Sequence, residues 1–276
     1  MTTERETRLG TVQETLLIPL YGRAVESGKE EPALSDPRAQ EIVAAIDYDF
    51  ARFDNLPSLV GTVLRTALFD LWVSDFLTEH PVSTVVEIGA GLNTRYERVD
   101  NGRARWFDLD LPDVIDLRRS FFTDTPRRTT IAASVTDDAW ATSVASKAEG
   151  PCFFAAEAVL PFLQERDVRH AVDLLAEHFP GSLLALDMAG PGITGAQDEH
   201  DALSKVEARM QWACADPAEI TGWRPGTRLL TSCTLTDLPA RLHERLPAAY
   251  REMLSGLAQQ RLVQVDEYRI GLFRLA

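Results

Sequence analysis

The stretch TVVEIGAGLNTR at residues 84–95 decides the fold of this chain. It begins with apolar, β-branched residues, which predict a short buried strand, and then turns through a glycine-alanine-glycine sequence toward a helix. A second predicted strand at 105–107 leads into the acids Asp108 and Asp110. Strand, glycine turn, helix, strand and terminal acid indicate a mononucleotide-binding β-α-β unit, in which the acid accepts hydrogen bonds from ribose hydroxyls.

The residues around the glycines favour a ligand without phosphate. A dinucleotide-binding fold has a third glycine where the pyrophosphate meets the helix, and here that place holds Thr94. Glu87 repels phosphate but can hold a cationic amino-acid group, directly or through water. The pattern therefore favours S-adenosylmethionine over a nicotinamide dinucleotide. The alternative is an ordinary strand-turn-helix in which the glycines only permit the turn. An acid about 20 residues further on, at the distance of a ribose-binding residue, disfavours this alternative.

The same residues resemble those of a known family. The sequences Gly-Leu-Asn-Thr-Arg at 91–95 and Asp-Leu-Pro at 110–112 are similar to signatures of the leucine carboxyl methyltransferase family. The similarity is closest to its bacterial branch of tetracenomycin-type polyketide O-methyltransferases and covers roughly residues 10–190. It implies an α/β fold, the Rossmann-like seven-stranded fold of S-adenosylmethionine-dependent methyltransferases, with an antiparallel last pair of strands and an N-terminal helical cap.

The chain is expected to form a single methyltransferase domain over 1–276. Within it, residues 1–80 are the helical cap or lid and residues 81–276 are the α/β core. The periodicity of apolar residues predicts helices at 11–27, from Asp36-Pro37 onward, and at 57–78, 172–179 and 199–213. It predicts further strands at 129–133, 152–156, 183–186, 228–235 and 260–275.

Composition and charge disfavour several classes of partner. The chain has 28 Lys and Arg against 42 Asp and Glu, a net charge of -14, which disfavours nucleic acid. Three cysteines without metal spacing suit a reducing cytosol. The N-terminus lacks a signal-peptide core, and no apolar run approaches the roughly 20 residues that span a bilayer. We expect a cytoplasmic protein that binds no metal, nucleic acid or membrane.

The resemblance implies roles for particular residues in binding S-adenosylmethionine. It places an arginine on the helix before the glycine turn, where the guanidinium pairs with the methionine carboxylate; Arg65 matches this place, although a structural salt bridge remains the other interpretation. Asp110 is expected at the ribose, with Asp108 as the weaker candidate. The turn after the third strand is expected at the adenine. The cofactor candidates are Arg65, Glu87, Gly89, Ala90, Gly91, Asp108, Asp110, Ser134, Val135 and Glu157.

The segment after the fourth strand departs from the family pattern. The family motif resembles Glu-Gly-Val-Leu-x-Tyr-Leu, whereas this chain keeps Glu157 but has Ala158 and Phe162 in place of the glycine and the tyrosine. Glu157 is a cofactor contact or a structural acid, and Phe162 cannot act as a hydroxyl donor or base. Tyr21 and Arg23, on a helix expected to fold over the pocket, join Phe162 as substrate candidates, although Arg23 equally fits a solvated arginine.

These features predict an O-methyltransferase that acts on a hydroxyl or carboxyl group of a small, polyketide-like metabolite. Because orientation alone contributes roughly 7–11 kcal/mol in favourable cases, no catalytic residue is assigned. His170, His178 and His200 are interpreted as structural or solvated. A non-catalytic cofactor-binding protein and a nicotinamide-dependent oxidoreductase are the alternatives.

Overall fold

The computed structural model describes residues 13–276, and within them seven strands form one sheet. Residues 1–12, which include the first part of the predicted cap and of the helix predicted at 11–27, lie outside the described residues. The strands are β1 (Thr84–Ile88), β2 (Arg105–Asp110), β3 (Arg128–Ala132), β4 (Cys152–Ala156), β5 (Leu183–Ala189), β6 (Arg228–Cys233) and β7 (Tyr268–Arg274).

The sheet has the order β3-β2-β1-β4-β5-β7-β6. The first five strands are parallel, and β7 runs antiparallel to both β5 and β6. The predicted seven-stranded α/β fold with an antiparallel last pair is therefore confirmed. The chain order reverses between β1 and β4, and their carboxyl ends are where ligands bind in open sheets of this kind.

The helices surround this sheet. They are α1 (Leu17–Ser27), α2 (Pro37–Ala45), α3 (Pro57–Glu79), α4 (Arg95–Val99), α5 (Pro112–Arg118), α6 (Asp138–Ala145), α7 (Glu165–His178), α8 (Pro191–Thr194), α9 (Ala218–Thr221), α10 (Ala240–His243), α11 (Ala248–Gln260) and α12 (Val263–Asp266). As predicted, Asp36 caps α2: its carboxylate accepts a hydrogen bond from the amide of Ala39 at 3.0 Å. None of the helices in residues 13–276 is both long and apolar enough to cross a bilayer.

Two apolar layers hold the helices on the sheet. Alternating side chains of each strand enter opposite layers, so Phe153 packs on the side of α3 and Phe154 on the side of α6 and α7. Every residue of β1 and β4 is buried, as expected for central parallel strands covered on both faces. This burial fixes where β1 and β4 end at the edge of the sheet. It thereby also fixes the position of the turns that follow them.

Two predictions in the last third of the chain are wrong. The segment 199–213 is not a helix; a short 3₁₀ turn, Gln197–Glu199, ends at its start, and a second, Leu203–Lys205, lies within it. Its apolar residues recur at helical spacing, but Leu203 and Val206 are buried in one cluster with Phe162 without a helix forming. The strand predicted over 260–275 begins only at Tyr268, because α11 and α12 occupy the residues before it.

Candidate active site

Two glycines shape the turn after β1. Gly89 and Gly91 have φ angles of +63° and +44°, in the left-handed region that favours glycine. A Cβ atom on Gly89 would lie 2.2 Å from Cγ2 of Val159, so a side chain there collides with the segment that follows β4. The amide of Ala90 donates to the carbonyl of Leu109 at 3.0 Å and joins the turn to the end of β2.

Asp110 ends β2 beside this turn. Its Oδ2 accepts a hydrogen bond from the amide of Gly91 at 2.7 Å, and its Oδ1 accepts one from Leu111 at 2.8 Å. Burial raises the pKa of Asp110, although the two amide donors oppose that shift. As the sequence predicts, the glycine turn and the acid that ends β2 are in direct contact.

A cavity of about 910 Å³ opens at the carboxyl ends of the parallel strands. The glycine turn, the end of β2 and the turns after β3 and β4 all contribute to its wall. It brings together ten of the residues predicted from sequence. These are Arg23, Arg65, Gly89, Ala90, Gly91, Asp110, Ser134, Val135, Glu157 and Phe162.

Three predicted residues are absent from this wall. Asp108 is buried inside β2, where its carboxylate accepts from Arg118 at 2.9 Å and from Arg128 at 2.7 Å. This pairing corrects its assignment to the ribose, because two guanidinium groups already occupy the carboxylate. Glu87 is likewise buried and pairs with Arg95 at 2.5 Å, which corrects its assignment to the cofactor.

Tyr21 also lies outside the cavity wall. Its hydroxyl donates to Asp54, and its ring stacks on Phe50 with centroids 5.3 Å apart. The hydrogen bond to Asp54, together with burial, raises the pKa of Tyr21 to about 12. The structure thus assigns Tyr21 to the packing of the N-terminal helices, which corrects its assignment to the substrate, whereas Arg23 on the same helix does line the cavity.

Arg65 reaches the cavity from α3 and is buried. Its Nε donates to Glu157 at 3.1 Å, and its Nη1 donates to the hydroxyl of Tyr268 at 2.7 Å and lies 3.8 Å from Asp187. Within residues 13–276 its Nη2 has no hydrogen-bond partner. Both interpretations of Arg65 therefore have support, because the side chain makes a structural ion pair and also faces the cavity.

Arg95 closes the Gly-Leu-Asn-Thr-Arg sequence and has no role in the sequence-based prediction. Its fully buried guanidinium pairs with Asp70 at 2.7 Å, Glu87 at 2.5 Å and Glu157 at 2.5 Å. Burial alone raises the pKa of Glu157, but the guanidinium groups of Arg65 and Arg95 lower it to about 2. Glu157 is therefore ionised and held in one place at the cavity wall.

The same ion-pair network extends to the helices before the sheet. Arg98 pairs with Asp70 at 2.6 Å and with Asp36 at 3.0 Å, and Asp36 pairs with Arg23 at 2.8 Å. Arg23 also donates to the carbonyl of Leu92 at 2.9 Å, directly after the glycine turn. Asp36, Asp70, Arg95 and Arg98 thereby connect α1 and α3 with the turn beneath them.

Ala158 occupies the glycine position of the family motif. Its φ angle is +58°, in the left-handed region, and its amide donates to Asp187 at 2.7 Å. An L-residue in this conformation costs roughly 1–2 kcal/mol, so the surrounding contacts hold the backbone against strain. The departure in sequence leaves the left-handed turn after β4 in place.

The chemistry of the cavity fits S-adenosylmethionine. Asp110 offers a carboxylate for hydroxyl groups, Arg65 offers a guanidinium for a carboxylate, and Val135 contributes an apolar surface. A pyrophosphate fits less well, because Asp36 accepts a hydrogen bond from Thr94 at the start of α4 and places a carboxylate near that end of the helix.

Known proteins identify the class. The sequence profile of the leucine carboxyl methyltransferase family matches residues 17–176. Over 234 residues the chain is 30% identical to the tetracenomycin polyketide synthesis O-methyltransferase TcmP of Streptomyces glaucescens, covering 84% of this chain and 86% of that protein. The chain belongs to the leucine carboxyl methyltransferase family and is an S-adenosylmethionine-dependent methyltransferase, so the oxidoreductase and non-catalytic alternatives are set aside.

A more distant sequence relative agrees with this class, and two solved structures share the fold. A putative S-adenosyl-L-methionine-dependent methyltransferase of Mycobacteroides abscessus is 28% identical over 302 residues, covering 91% of this chain and 93% of that one. A DUF574 family protein from Streptomyces avermitilis is similar in structure, with a TM-score of 0.60 at 16% identity, covering 94% of this chain and 97% of that one. The plantazolicin methyltransferase BamL has a TM-score of 0.52 at 9% identity, covering 95% and 97%. The two structures support the fold alone.

The two interpretations of Arg65 make different predictions. If Arg65 binds the cofactor carboxylate, Arg65→Lys should weaken binding of S-adenosylhomocysteine roughly tenfold to a hundredfold, because an ammonium cannot replace a planar guanidinium. Calorimetric titration measures this affinity. Arg241→Lys, at an exposed pair with Asp75, is the control and should bind normally. Normal affinity in Arg65→Lys with only a lower melting temperature would assign Arg65 to structure.

Proposed function

We propose that the protein transfers the methyl group of S-adenosylmethionine to an oxygen, in a hydroxyl or carboxyl group, of a small polyketide-like metabolite. One observation carries the proposal: the cavity that contains the cofactor candidates continues into a wall of apolar side chains. We call this wall the acceptor wall; it comprises Ile18, Phe162, Leu203 and Met210.

The cofactor side of the cavity has a defined division of roles in this proposal. Asp110 binds the ribose hydroxyls, Arg65 binds the methionine carboxylate, and Ser134 and Val135 contact the adenine. Glu157 holds the guanidinium of Arg65 in place. When bound there, S-adenosylmethionine supplies an activated methyl group.

The acceptor wall supports a planar, apolar substrate. Phe162 and Leu203 are buried in one cluster with Ile18 of α1, so the N-terminal helices contribute directly to this side. Such a surface excludes water and restricts the orientation of a ring system, which contributes roughly 7–11 kcal/mol in favourable cases. We propose that residues 1–80 act as the cap of a single domain whose core is 81–276.

The name of the relative TcmP, a polyketide synthesis O-methyltransferase, supports an oxygen acceptor on a small molecule. The family name describes a leucine carboxyl group, which is also an oxygen acceptor. A protein substrate would need a broad docking surface, whereas Phe162 makes the acceptor side more apolar than the family motif. These features favour the small metabolite.

Transfer of label tests the proposal. We expect incubation with methyl-labelled S-adenosylmethionine and a cell extract, followed by separation by size, to place the label in the small-molecule fraction. Activity should rise with pH if the acceptor is a weakly acidic phenol, which must lose its proton, and stay flat if it is a carboxylate. Label found mainly in protein, or in no fraction, would defeat the proposal.

A further inference from the structure

His200 lies on the cavity wall beside the acceptor wall. It stands between the two short 3₁₀ turns after β5, next to the buried residues Ala202 and Leu203 that pack on Phe162. The sequence-based interpretation of His200 as structural or solvated is therefore incomplete. Among the described residues, His200 is the histidine that lines this cavity.

The hydrogen bonds of the ring determine which nitrogen carries the proton. The Nδ1 atom accepts from the amides of Ala202 and Leu203, both at 3.2 Å. A ring nitrogen that accepts N–H groups is unprotonated, so the neutral imidazole carries its proton on Nε2. Burial lowers the pKa of His200, although the carboxylate of Asp201, 3.1 Å from Nδ1, opposes that shift.

A role as general base does not fit this arrangement. It would require the proton on Nδ1, directed at Asp201, and Nε2 free to accept. The amides of Ala202 and Leu203 would then face an N–H group in place of a lone pair. Asp201 does not need a proton on Nδ1 for its own pairing, since it accepts from the amides of Ala202 and Ser58, both at 2.9 Å.

The Nε2–H group is thus a donor with a fixed position. Within residues 13–276 it has no hydrogen-bond partner, and the adjoining acceptor wall offers apolar side chains. A ligand on this side of the cavity can supply the acceptor atom for this donor. The ligand that occupies this side of the cavity is the methyl acceptor.

We propose that the Nε2–H of His200 donates a hydrogen bond to a carbonyl or quinone oxygen of the methyl acceptor, and so selects substrates that carry such an oxygen besides the one that is methylated. This inference rests on the proposed function. His200 transfers no proton in this role; it fixes the orientation of the ring system against Phe162.

Substitution by asparagine separates the two functions of the ring. In His200→Asn the side-chain oxygen takes over the acceptor role of Nδ1 toward the turn amides, as asparagine does in turns and caps, but no N–H reaches the place of Nε2. His200→Gln places an amide N–H near Nε2. His170→Asn is the matched control, because His170 is an exposed histidine that contacts the carbonyl of Thr136.

The probes are 1-hydroxyanthraquinone and 1-hydroxyanthracene, which share three rings and differ in the carbonyl oxygens. Affinities are measured by calorimetry with S-adenosylhomocysteine present. We expect His200→Asn to reduce the preference of the wild type for the quinone about fivefold to tenfold, the range of one neutral hydrogen bond. His200→Gln should restore part of this preference, and His170→Asn should keep all of it.

The outcomes distinguish the inference from the proposed function. An unchanged preference for the quinone in His200→Asn, or an equal loss of affinity for both probes, would overturn the proposed role of His200. Neither result would contradict the proposed methyl transfer. Failure of the wild type to bind either probe would contradict the proposed class of acceptor and the inference with it. Affinity for S-adenosylhomocysteine and melting temperature report whether each variant is folded. If His200→Asn does not fold, the preference of His200→Gln for the quinone tests the inference.

Discussion

Replacing Gly89 by alanine should weaken cofactor binding strongly, raising the dissociation constant of S-adenosylhomocysteine by on the order of a hundredfold, which is about 2.7 kcal/mol. The added Cβ would lie 2.2 Å from Cγ2 and 3.0 Å from Cγ1 of Val159, and the φ angle of +63° is unfavourable for alanine. The turn and the segment after β4 must separate to relieve this contact. Both segments line the cavity, so their displacement deforms the site itself.

Gly102→Ala provides the control for backbone strain. Gly102 has a φ angle of +76°, but a Cβ there would meet no atom within 4 Å. This variant should lose about 1 kcal/mol of stability and keep its affinity for S-adenosylhomocysteine. Calorimetry and thermal unfolding of both variants make the comparison. Normal binding by Gly89→Ala would show that the glycine turn does not touch the cofactor.

Replacing Arg95 by methionine should produce the largest loss of stability. The substitution leaves the buried carboxylates of Asp70, Glu87 and Glu157 without their common partner. Breaking a buried ion pair from one side costs about 3–5 kcal/mol when the remaining charge is uncompensated, as it is here for Glu87, whereas Asp70 keeps Arg98 and Glu157 keeps Arg65. Urea unfolding at neutral pH measures the change. Arg105→Met, at an exposed pair with Glu149, should cost about 1 kcal/mol or less.

The pH dependence of the Arg95→Met defect follows from Glu157. Its folded pKa of about 2 is lowered by Arg65 and Arg95 against burial, so ionised Glu157 stabilises the wild type above its unfolded pKa. That contribution is lost as the pH falls through the folded pKa. The difference in stability between wild type and variant should therefore narrow from pH 5 toward pH 2. A difference below about 1 kcal/mol at neutral pH would show that the ion cluster relaxes around the gap.

The central sheet could be predicted because its strands are marked locally. The strands at 84–88 and 152–156 have the predicted bounds, since continuous apolar runs between turn residues identify buried parallel strands. The segment 199–213 has no such local signal. Its backbone is satisfied by side chains such as Asp201 and by contacts with Pro161, which lie outside any short window of sequence.

The candidate site could be predicted where position along a strand determines exposure to the ligand. Asp110 stands at the end of β2 and lines the cavity, whereas Asp108, two residues earlier, is buried under Arg118 and Arg128. Nothing near Asp108 in sequence reveals those partners. For Arg95 the sequence offered one signal of a role at the site, namely its position at the end of the Gly-Leu-Asn-Thr-Arg sequence.

Long-range pairings account for the other residues that sequence reasoning missed. Tyr268 donates to Asp187 across 81 positions of chain, and both residues also contact Arg65. Their meeting depends on β7 inserting beside β5, which the strand pattern does not specify by itself. His200 gained its place on the cavity wall in the same way, from the packing of the loop after β5 onto Phe162.

The crystal structure of the protein with S-adenosylhomocysteine bound tests the central claim most directly. We expect the ribose hydroxyls on the carboxylate of Asp110, the amino-acid carboxylate on the guanidinium of Arg65, and the sulfur directed toward the acceptor wall at Phe162. A ligand bound away from the glycine turn, or one whose sulfur faces open solvent and not the acceptor wall, would contradict the proposed site and the methyl transfer assigned to it.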